Sequence, residues 1–569
     1  MYTEIFNQWR NNATDDIDLI NELNSIKNNE DEISDRFYTE LEFGTAGLRG
    51  IIGAGINRMN VYTVGRATQA LAGYVNSISE NPSVAIAYDS RIKSDLFAQT
   101  AASILAANGV KVYIYKELMP TPMLSFAVRR LKCDAGIVIT ASHNPAKYNG
   151  YKAYGSDGCQ MPPDAADYIL NLMAKIDYFK DIKSIDFATA VESGNIEYIE
   201  QWLIEEYLDE VEKQSVRDKN IDLSSLNVIY TPLHGTGNKP VRAILDRIGI
   251  KNVTIVKEQE LPDGNFPTAP YPNPEIKQPF ELALAAAKLN NADLLLATDP
   301  DADRVGIAVK DGNEYTLISG NDVGALILNY ILERRTQEGT LPQNPIAIKT
   351  IVTTEICQKI ADEYNCQLIN VLTGFKFIGE QIALLENKNE ENRYIFGFEE
   401  SYGYLPGSYV RDKDAVVASM LICEMAAYYK SKSLSLLDQL DLLFKKYGYY
   451  LNSQKSFAFE GQSGMETMGK IMNKLHENPP SEIVGNKVII IEDYQKSIAT
   501  NFVSGTSKDI TLPKSNVVAF TLEDYSKVIF RPSGTEPKIK IYVGAHDISK
   551  SAALTKLENL SDNVANLLK

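Results

Sequence analysis

Three aspartates, Asp299, Asp301 and Asp303, take alternate positions in "ATDPDADR", directly after the apolar run "LLL". Carboxylates this close repel one another unless a cation neutralises them, and a set of oxygen ligands selects Mg²⁺ or Ca²⁺. The calcium loop of an EF-hand also begins D-x-D-x-D, but it requires glycine at its sixth position and glutamate at its twelfth. Arg304 and Lys310 stand there instead. A Mg²⁺ site then stands against a solvated acidic turn, and Arg304 suits a cation facing a phosphate beside the metal.

Other segments are loaded in the same way. "GIVITASHNP", residues 136–145, runs from an apolar strand into Ser142 and His143 and stops at Asn144-Pro145. Serine, asparagine and proline are ordinary turn formers. The same decapeptide can carry Ser142 as a nucleophile at the mouth of a sheet, where open α/β domains bind ligands. In "RPSGTEPK", residues 531–538, Arg531 can bond a phosphate bidentately, while Ser533, Gly534 and Thr535 offer hydroxyl and backbone N–H groups that nest an anion. In "GFEES", Glu399, Glu400 and Ser401 suit hydrogen bonds with sugar hydroxyls. "LTGFKF", with Thr373 and Lys376, precedes it, and "RDKDA", with Arg411 and Lys413, follows. "FGTAGLRG" sets Thr45 and Arg49 among three glycines. Neither "GAGINR" nor "HGTGNK" completes a dinucleotide-binding G-x-G-x-x-G, and no G-x-x-x-x-G-K-[ST] occurs. Nicotinamide and nucleoside-triphosphate chemistry therefore lack support, and His234 reads as structural.

These loops need several cores to carry them. A chain of 569 residues exceeds the roughly 250 to 300 residues at which single cores stop growing. Hydrophobic residues at 44% and charged residues at 23% fit a soluble globular protein. The N-terminal "MYTEIFNQWRNNATDDIDLI" lacks a basic start followed by an apolar run, and no stretch is long and apolar enough to span a bilayer. A cytoplasmic protein without membrane contact is expected. Five cysteines without a CxxC pair fit reduced thiols better than zinc or disulfides. A formal charge of −17 repels nucleic-acid phosphates. An anionic substrate must therefore be held by a few placed cations.

Strand-like runs alternate with helical ones, which is the grammar of a mostly parallel sheet. "SVAIAYD", "KVYIYK" and "AGIVITAS" form one set; "LNVIYTPLHG", "NVTIVKE" and "ADLLLATDPDADR" a second; "NPIAIKTIV", "QLINVL" and "RYIFGFEES" a third. Each set ends in a loaded loop. The last stretch, with period-2 alternation in "KIKIYV" and a terminal helix, predicts an antiparallel α+β domain. The expected fold is α/β: three related α/β domains with mixed, mostly parallel sheets plus a C-terminal α+β domain, at 1–205, 206–325, 326–448 and 449–569. Residues 1–40 read as an amphipathic helical extension with Ile17, Ile20 and Leu23 on its apolar face.

"TASHNP", "DPDADR", "GFEES" and "RPSGTEPK", in this order and at domain-sized spacing, resemble the α-D-phosphohexomutase superfamily, the phosphoglucomutases and phosphomannomutases. The resemblance implies four domains around a central cleft, each giving one loop. It makes Ser142 a phosphoserine, with Mg²⁺ held by its phosphate and by Asp299, Asp301 and Asp303, and His143 beside it. "RPSGTEPK" would hold the substrate's non-reacting phosphate, and Glu399 and Ser401 the sugar. Arg49, Lys152 in "YNGYKAY", Arg304, Thr373 and Lys413 fall where members of the family contact substrate or move protons. The usual "GEES" is here "GFEES", with Phe398 inserted, as in the branch of phosphoglucomutase-2-like and phosphopentomutase enzymes, which "FGTAGLRG" also resembles.

The implied reaction interconverts α-glucose 1-phosphate and glucose 6-phosphate through a bound glucose 1,6-bisphosphate. Mannose and pentose phosphates are the alternatives within the family. Lys152 or Lys413 would take the proton of the attacking hydroxyl. A free lysine, with pKa about 10.4, does so near neutrality only when neighbouring cations or desolvation lower that value. Two other classes compete: a Mg²⁺-dependent sugar-phosphate phosphatase and a non-catalytic sensor. Haloacid-dehalogenase-type phosphatases also end a strand in D-x-D, but follow it with Thr or Val where Asp303 stands. The expected partners are small sugar phosphates only, with the chain a monomer or weak homodimer.

Overall fold

The computed structural model describes residues 2–41, 47–459, 464–533 and 538–568. The chain separates into two compact units. One comprises Met1–Ile318, Gly379–Tyr394 and Tyr402–Ser431, the other Ser319–Ile378, Ile395–Ser401 and Lys432–Lys569.

The first unit contains two sheets. One is built from β1 (Gly47–Ile51), β2 (Ser83–Tyr88), β3 (Lys111–Tyr115), β4 (Ala135–Ile139), β5 (Tyr148–Gly155) and β6 (Ile196–Ile199), in the order β1-β5-β4-β2-β3-β6. Strands β4, β2, β3 and β6 run parallel, while β5 pairs antiparallel with β4 and β1 antiparallel with β5. All five residues of β4, "AGIVI", are buried, as a continuous apolar run in a parallel sheet requires. The helical pattern after β2 forms Ser94–Ala107 and stops before Gly109, whose φ of 78° continues no helix. The second sheet is β7 (Asn227–Thr231), β8 (Asn252–Ile255), β9 (Leu294–Thr298), β10 (Val305–Asp311) and β11 (Glu314–Ile318), ordered β11-β10-β9-β7-β8. Here β7 pairs parallel with β8 and β9, and β10 pairs antiparallel with β9 and β11. The Ser142 loop thus leaves the C-terminal end of β4, and the aspartate loop leaves that of β9.

The N-terminal extension folds as helices Tyr2–Asn12, Ile17–Ile26 and Glu30–Phe37, anchored by the buried Trp9 edge-on to Phe37 and Tyr62. The expected apolar face is corrected in one respect: Ile17 is 65% exposed, and Leu19, Leu23 and Ile26 are the buried side chains. Two positions along a helix turn the chain by about 200°, so Ile17 points away from Leu19.

In the second unit, β12 (Ile346–Thr350) pairs parallel with β13 (Gln367–Val371) and has β14 (Tyr394–Glu399) on its other side. Phe398, the residue that sets "GFEES" apart, is buried on β14 and stacks on Phe396 at 5.3 Å. Its ring presses on Gly324 of helix Gly320–Gln337, where a Cβ would come within 1.9 Å of it. Phe398 is therefore a core residue. The C-terminal sheet orders the strands 449–458, 538–547, 527–532, 518–522, 486–493, 498–501 and 506–509, all antiparallel. Phe520, Phe530, Ile539 and Ile541 form its core with Met472 and Leu475 of helix Gly464–Glu477 and Leu560 of helix Lys550–Asn563. Among the described residues, no helix is long and apolar enough to cross a membrane. All five cysteines are buried.

Candidate active site

Strand β4 ends at Ile139, and the chain turns so that Ser142 adopts a left-handed φ of 51°. The turn is closed by Asn144 N bonding Ala141 O at 3.1 Å and by Ser142 N bonding Thr140 Oγ1 at 2.8 Å. In that posture the Ser142 hydroxyl donates to Asp299 Oδ2 at 2.8 Å. His143 Nδ1 lies 3.3 Å from Ser142 Oγ. Burial, then the Arg304 and Arg49 guanidinium charges, hold His143 well below the ordinary imidazole range, so the ring is neutral. Arg49 reaches this neighbourhood from β1, where it pairs with Gly150 of β5.

The aspartates are buried, and their ligand oxygens lie within 4.8 Å of one another. Asp301 Oδ2 accepts from Thr121 Oγ1 at 2.9 Å and from Lys152 Nζ at 3.0 Å. Lys152 comes from β5, beside Val138 of the nucleophile strand. Lys413 Nζ lies 2.9 Å from Asp303 Oδ2 and 3.3 Å from Asp412 Oδ1. Its aliphatic stem runs so close over Gly403 that a Cβ there would meet it at 2.4 Å, which explains the glycine. Tyr154 donates to Asp412 at 2.7 Å, and Asp414 caps the following helix while accepting from Tyr207 and Tyr409. Arg304 pairs with Glu275 at 2.7 Å and approaches Asp303 at 3.6 Å.

Burial, then the neighbouring Asp301 and Asp303 charges, raise Asp299 well above the usual carboxylate range. Burial pushes Asp301 upward too, but Lys152 and Lys413 outweigh it and hold Asp301 below that range. Asp301 Oδ1 and Asp303 Oδ1 are buried without a hydrogen-bond partner. Such oxygens are costly unless something positive meets them. Converging carboxylate oxygens with spare lone pairs are the donor set of a hard divalent cation, so the residues fit the metal that the spacing predicts.

The second unit gathers a different group. Glu399 Oε1 accepts from Gly374 N at 3.0 Å, which brings the "GFEES" loop against Thr373–Gly374. The Thr373 hydroxyl oxygen is buried without a hydrogen-bond partner. Glu400 accepts from Thr350 at 3.3 Å, and Arg531 reaches the Tyr542 hydroxyl at 3.4 Å. Burial, then the Glu400 charge, raises the Tyr542 phenol, so Arg531 and the glutamates share one neighbourhood. Ser401 closes that loop, and Ser533 N bonds Lys538 O at 2.7 Å at the foot of "RPSGTEPK". Lys376 lies over the Phe377 ring at 5.1 Å. Thr45, Gly534 and Thr535 lie outside the described residues.

Residue types and spacing did not single out Thr121, Tyr154, Glu275, Asp412 or the pair Asp89 and Arg91, although all of them touch the groups just described or the backbone of the Ser142 loop. For the pair a signal existed: "DSR" ends β2, the sheet neighbour of the nucleophile strand. His234, read as structural, has both ring nitrogens engaged, with Leu261 O at 3.1 Å and Thr268 Oγ1 at 3.0 Å.

Three family models match the chain: phosphoglucomutase/phosphomannomutase alpha/beta/alpha domain I over residues 40–180, domain II over 205–312 and domain III over 319–447. A phosphoglucomutase of Staphylococcus aureus (strain USA300) is 39% identical over 511 residues, 89% of this chain and 90% of that protein. One of Staphylococcus haemolyticus is 36% identical over 537 residues, 94% of each. Among solved structures, pp63/parafusin of Paramecium superposes with a TM-score of 0.68 at 18% identity, covering 93% of this chain and 95% of that one. A phosphoglucomutase/phosphomannomutase family protein of Burkholderia thailandensis gives 0.64 at 17%, covering 93% and 96%. At those identities the two structures speak for the fold alone. The chain belongs to the phosphoglucomutase/phosphomannomutase family: it is a phosphohexomutase, an isomerase acting on sugar phosphates with a metal cofactor.

Proposed function

We propose that this phosphohexomutase interconverts α-glucose 1-phosphate and glucose 6-phosphate, with Ser142 carrying the phosphoryl group and glucose 1,6-bisphosphate as the bound intermediate. The observation that carries the reading is the Ser142 hydroxyl, 2.8 Å from Asp299 and beside two further buried carboxylates. The sugar follows from relatives named phosphoglucomutase at 36–39% identity. The ion at Asp299, Asp301 and Asp303 is Mg²⁺, the hard cation that oxygen donors favour. When bound there, with the Ser142 phosphate, it supplies positive charge to the transferring phosphoryl oxygens.

The chain's own residues do the rest. Ser142 gives its phosphoryl group to the free hydroxyl of the hexose phosphate: the bond to Oγ breaks as the bond to the sugar oxygen forms. The proton of that hydroxyl passes to the amine of Lys152 or Lys413, which must first have given up its own proton, and His143, held neutral, lines the path. Arg304 and Arg49 offset phosphate charge. Glu399 and Ser401, with Thr373 and Lys376, hold the sugar. Arg531, Ser533, Gly534, Thr535 and Thr45 hold phosphate. The bisphosphate turns over and returns its other phosphoryl group to Ser142. A fixed anion cradle and a sugar loop indifferent to orientation serve both halves of such a cycle, because catalysis of phosphoryl transfer is mostly positioning and charge.

In this reading the domains run 1–205, 206–325, 326–448 and 449–569, and the chain works in the cytoplasm as a monomer or weak homodimer. The test is turnover of glucose 1-phosphate with Mg²⁺ and catalytic glucose 1,6-bisphosphate, run beside mannose 1-phosphate and ribose 1-phosphate. Glucose 6-phosphate formation with the highest kcat/KM of the three is expected. A preference for mannose or ribose, or stoichiometric release of inorganic phosphate, would overturn it.

A further inference from the structure

Arg91 lies beneath the Ser142 loop with a side chain that has no exposed surface. One terminal nitrogen of its guanidinium donates to the carbonyl oxygens of Ser142 and Asn144. The other donates to those of Pro145 at 3.0 Å and Tyr148 at 2.9 Å. Nε faces Asp89 Oδ2 at 3.3 Å. Asp89 is itself fixed by Thr140 Oγ1 at 2.7 Å, Ser94 Oγ at 2.8 Å and Arg91 N at 2.9 Å. Because Ser142 N bonds the same Thr140 hydroxyl, both backbone polar groups of Ser142 are tied into one closed ring of partners. The Phe266 ring covers the guanidinium at 5.1 Å from Cζ. Neighbouring Gly264 lies so close to this segment that a Cβ would stand 2.4 Å from Ile92 N.

Four carbonyl oxygens do not converge by chance, since together they repel. A planar fork with five N–H donors can satisfy them at once, and a lysine cannot. Ser142 meanwhile holds a left-handed backbone, which is strained for a non-glycine residue and persists only where the surroundings enforce it. We propose that Arg91 is a positioning residue for phosphoryl transfer: its clamp on carbonyls 142, 144, 145 and 148 enforces the strained turn that aims Ser142 Oγ at Asp299. The inference rests on the reading of Ser142 as phosphoryl carrier. The competing view is that Arg91 only balances the charge of buried Asp89, which any buried cation would do.

Arg91→Lys separates the two, since it keeps the charge and loses the fork. A misplacement of about 1 Å at a reacting atom costs about 100-fold in rate. Arg91→Lys should therefore lower kcat on glucose 1-phosphate about 100-fold with KM within about threefold of wild type. Phosphoryl uptake by Ser142 from glucose 1,6-bisphosphate, followed by intact mass, should slow in parallel. A kcat within about threefold of wild type would overturn the proposal. If Arg91→Lys does not fold, Phe266→Leu takes its place: removing the ring but no hydrogen bond should lower kcat several-fold at constant KM, and an unchanged kcat would overturn it. Ser142→Ala, measured alongside, separates the failures. If it turns over freely, the Ser142 reading falls and the clamp with it; if it is inactive while Arg91→Lys is not, the clamp alone falls.

Discussion

Lys152 Nζ stands 3.0 Å from Asp301 Oδ2, on a strand adjacent to the one that delivers the candidate nucleophile. The ammonium and a bound cation both draw on the negative charge of one triplet. Removing a unit charge about 5 Å from a divalent ion changes its binding by up to about 7 kcal/mol at an effective dielectric of about 20, of which water and salt screening leave only a small part. Lys152→Met is therefore expected to bind Mg²⁺ about three- to tenfold more tightly in calorimetric titration while losing most of its turnover. Weaker binding in the variant would show that Lys152 organises the triplet rather than competing for its charge.

Glu424 is buried on helix Ala415–Ser431, accepting from the Ser215 hydroxyl and from Val216 N. Burial pushes its carboxyl up to about 7, against an ordinary value of 4.5. The native state thus keeps a proton that the unfolded state releases. Stability from this group is greatest below about pH 4.5, falls as pH rises to about 7, and is lost by about 3 kcal/mol in total. Glu424→Gln mimics the protonated acid. Its melting temperature relative to wild type should climb between pH 5 and pH 7.5 and then level; a constant difference across that range would contradict the assignment.

Phe398 and Gly324 fill one space in the second unit. Gly324→Ala forces a methyl group into the Phe398 ring, which has no room to retreat, and overpacking of this kind costs about 1 to 3 kcal/mol. Chemical denaturation should show that loss, and Phe398→Leu in the same chain should recover part of it, because contacting sites do not add. Since the Phe398 ring faces the core, Phe398→Leu alone should leave the ratio of glucose to mannose kcat/KM near the wild-type value. A large shift in that ratio would make Phe398 a specificity residue.

Much of the candidate site was legible in the sequence because its chemistry is packed into contiguous loops. Three alternate aspartates call for a cation, whereas the serine-histidine pair reads by itself as a turn and points to chemistry only beside the other loaded loops. The strands were legible as apolar runs for the same reason: parallel strands bury both faces. What stayed hidden depends on sheet order. Arg91 serves carbonyls more than 50 positions away only because β2 and β4 are neighbours. Lys152 and Asp301 meet across 149 positions, and Tyr154 and Asp412 across 258. Phe398 reads as part of a sugar loop until its ring is seen against helix Gly320–Gln337. Ile17 stands at helical spacing from Ile20 and Leu23, yet its angle on the helix sends it to solvent.

The phosphoserine is tested most directly by peptide mass mapping of the chain after incubation with glucose 1,6-bisphosphate, followed by a chase with unlabelled glucose 1-phosphate. One phosphoryl group on the peptide containing Ser142, discharged in the chase at the rate of turnover and missing in Ser142→Ala, is the expected result. A phosphoryl group that turns over on any other residue, or full turnover by Ser142→Ala, would contradict Ser142 as the carrier.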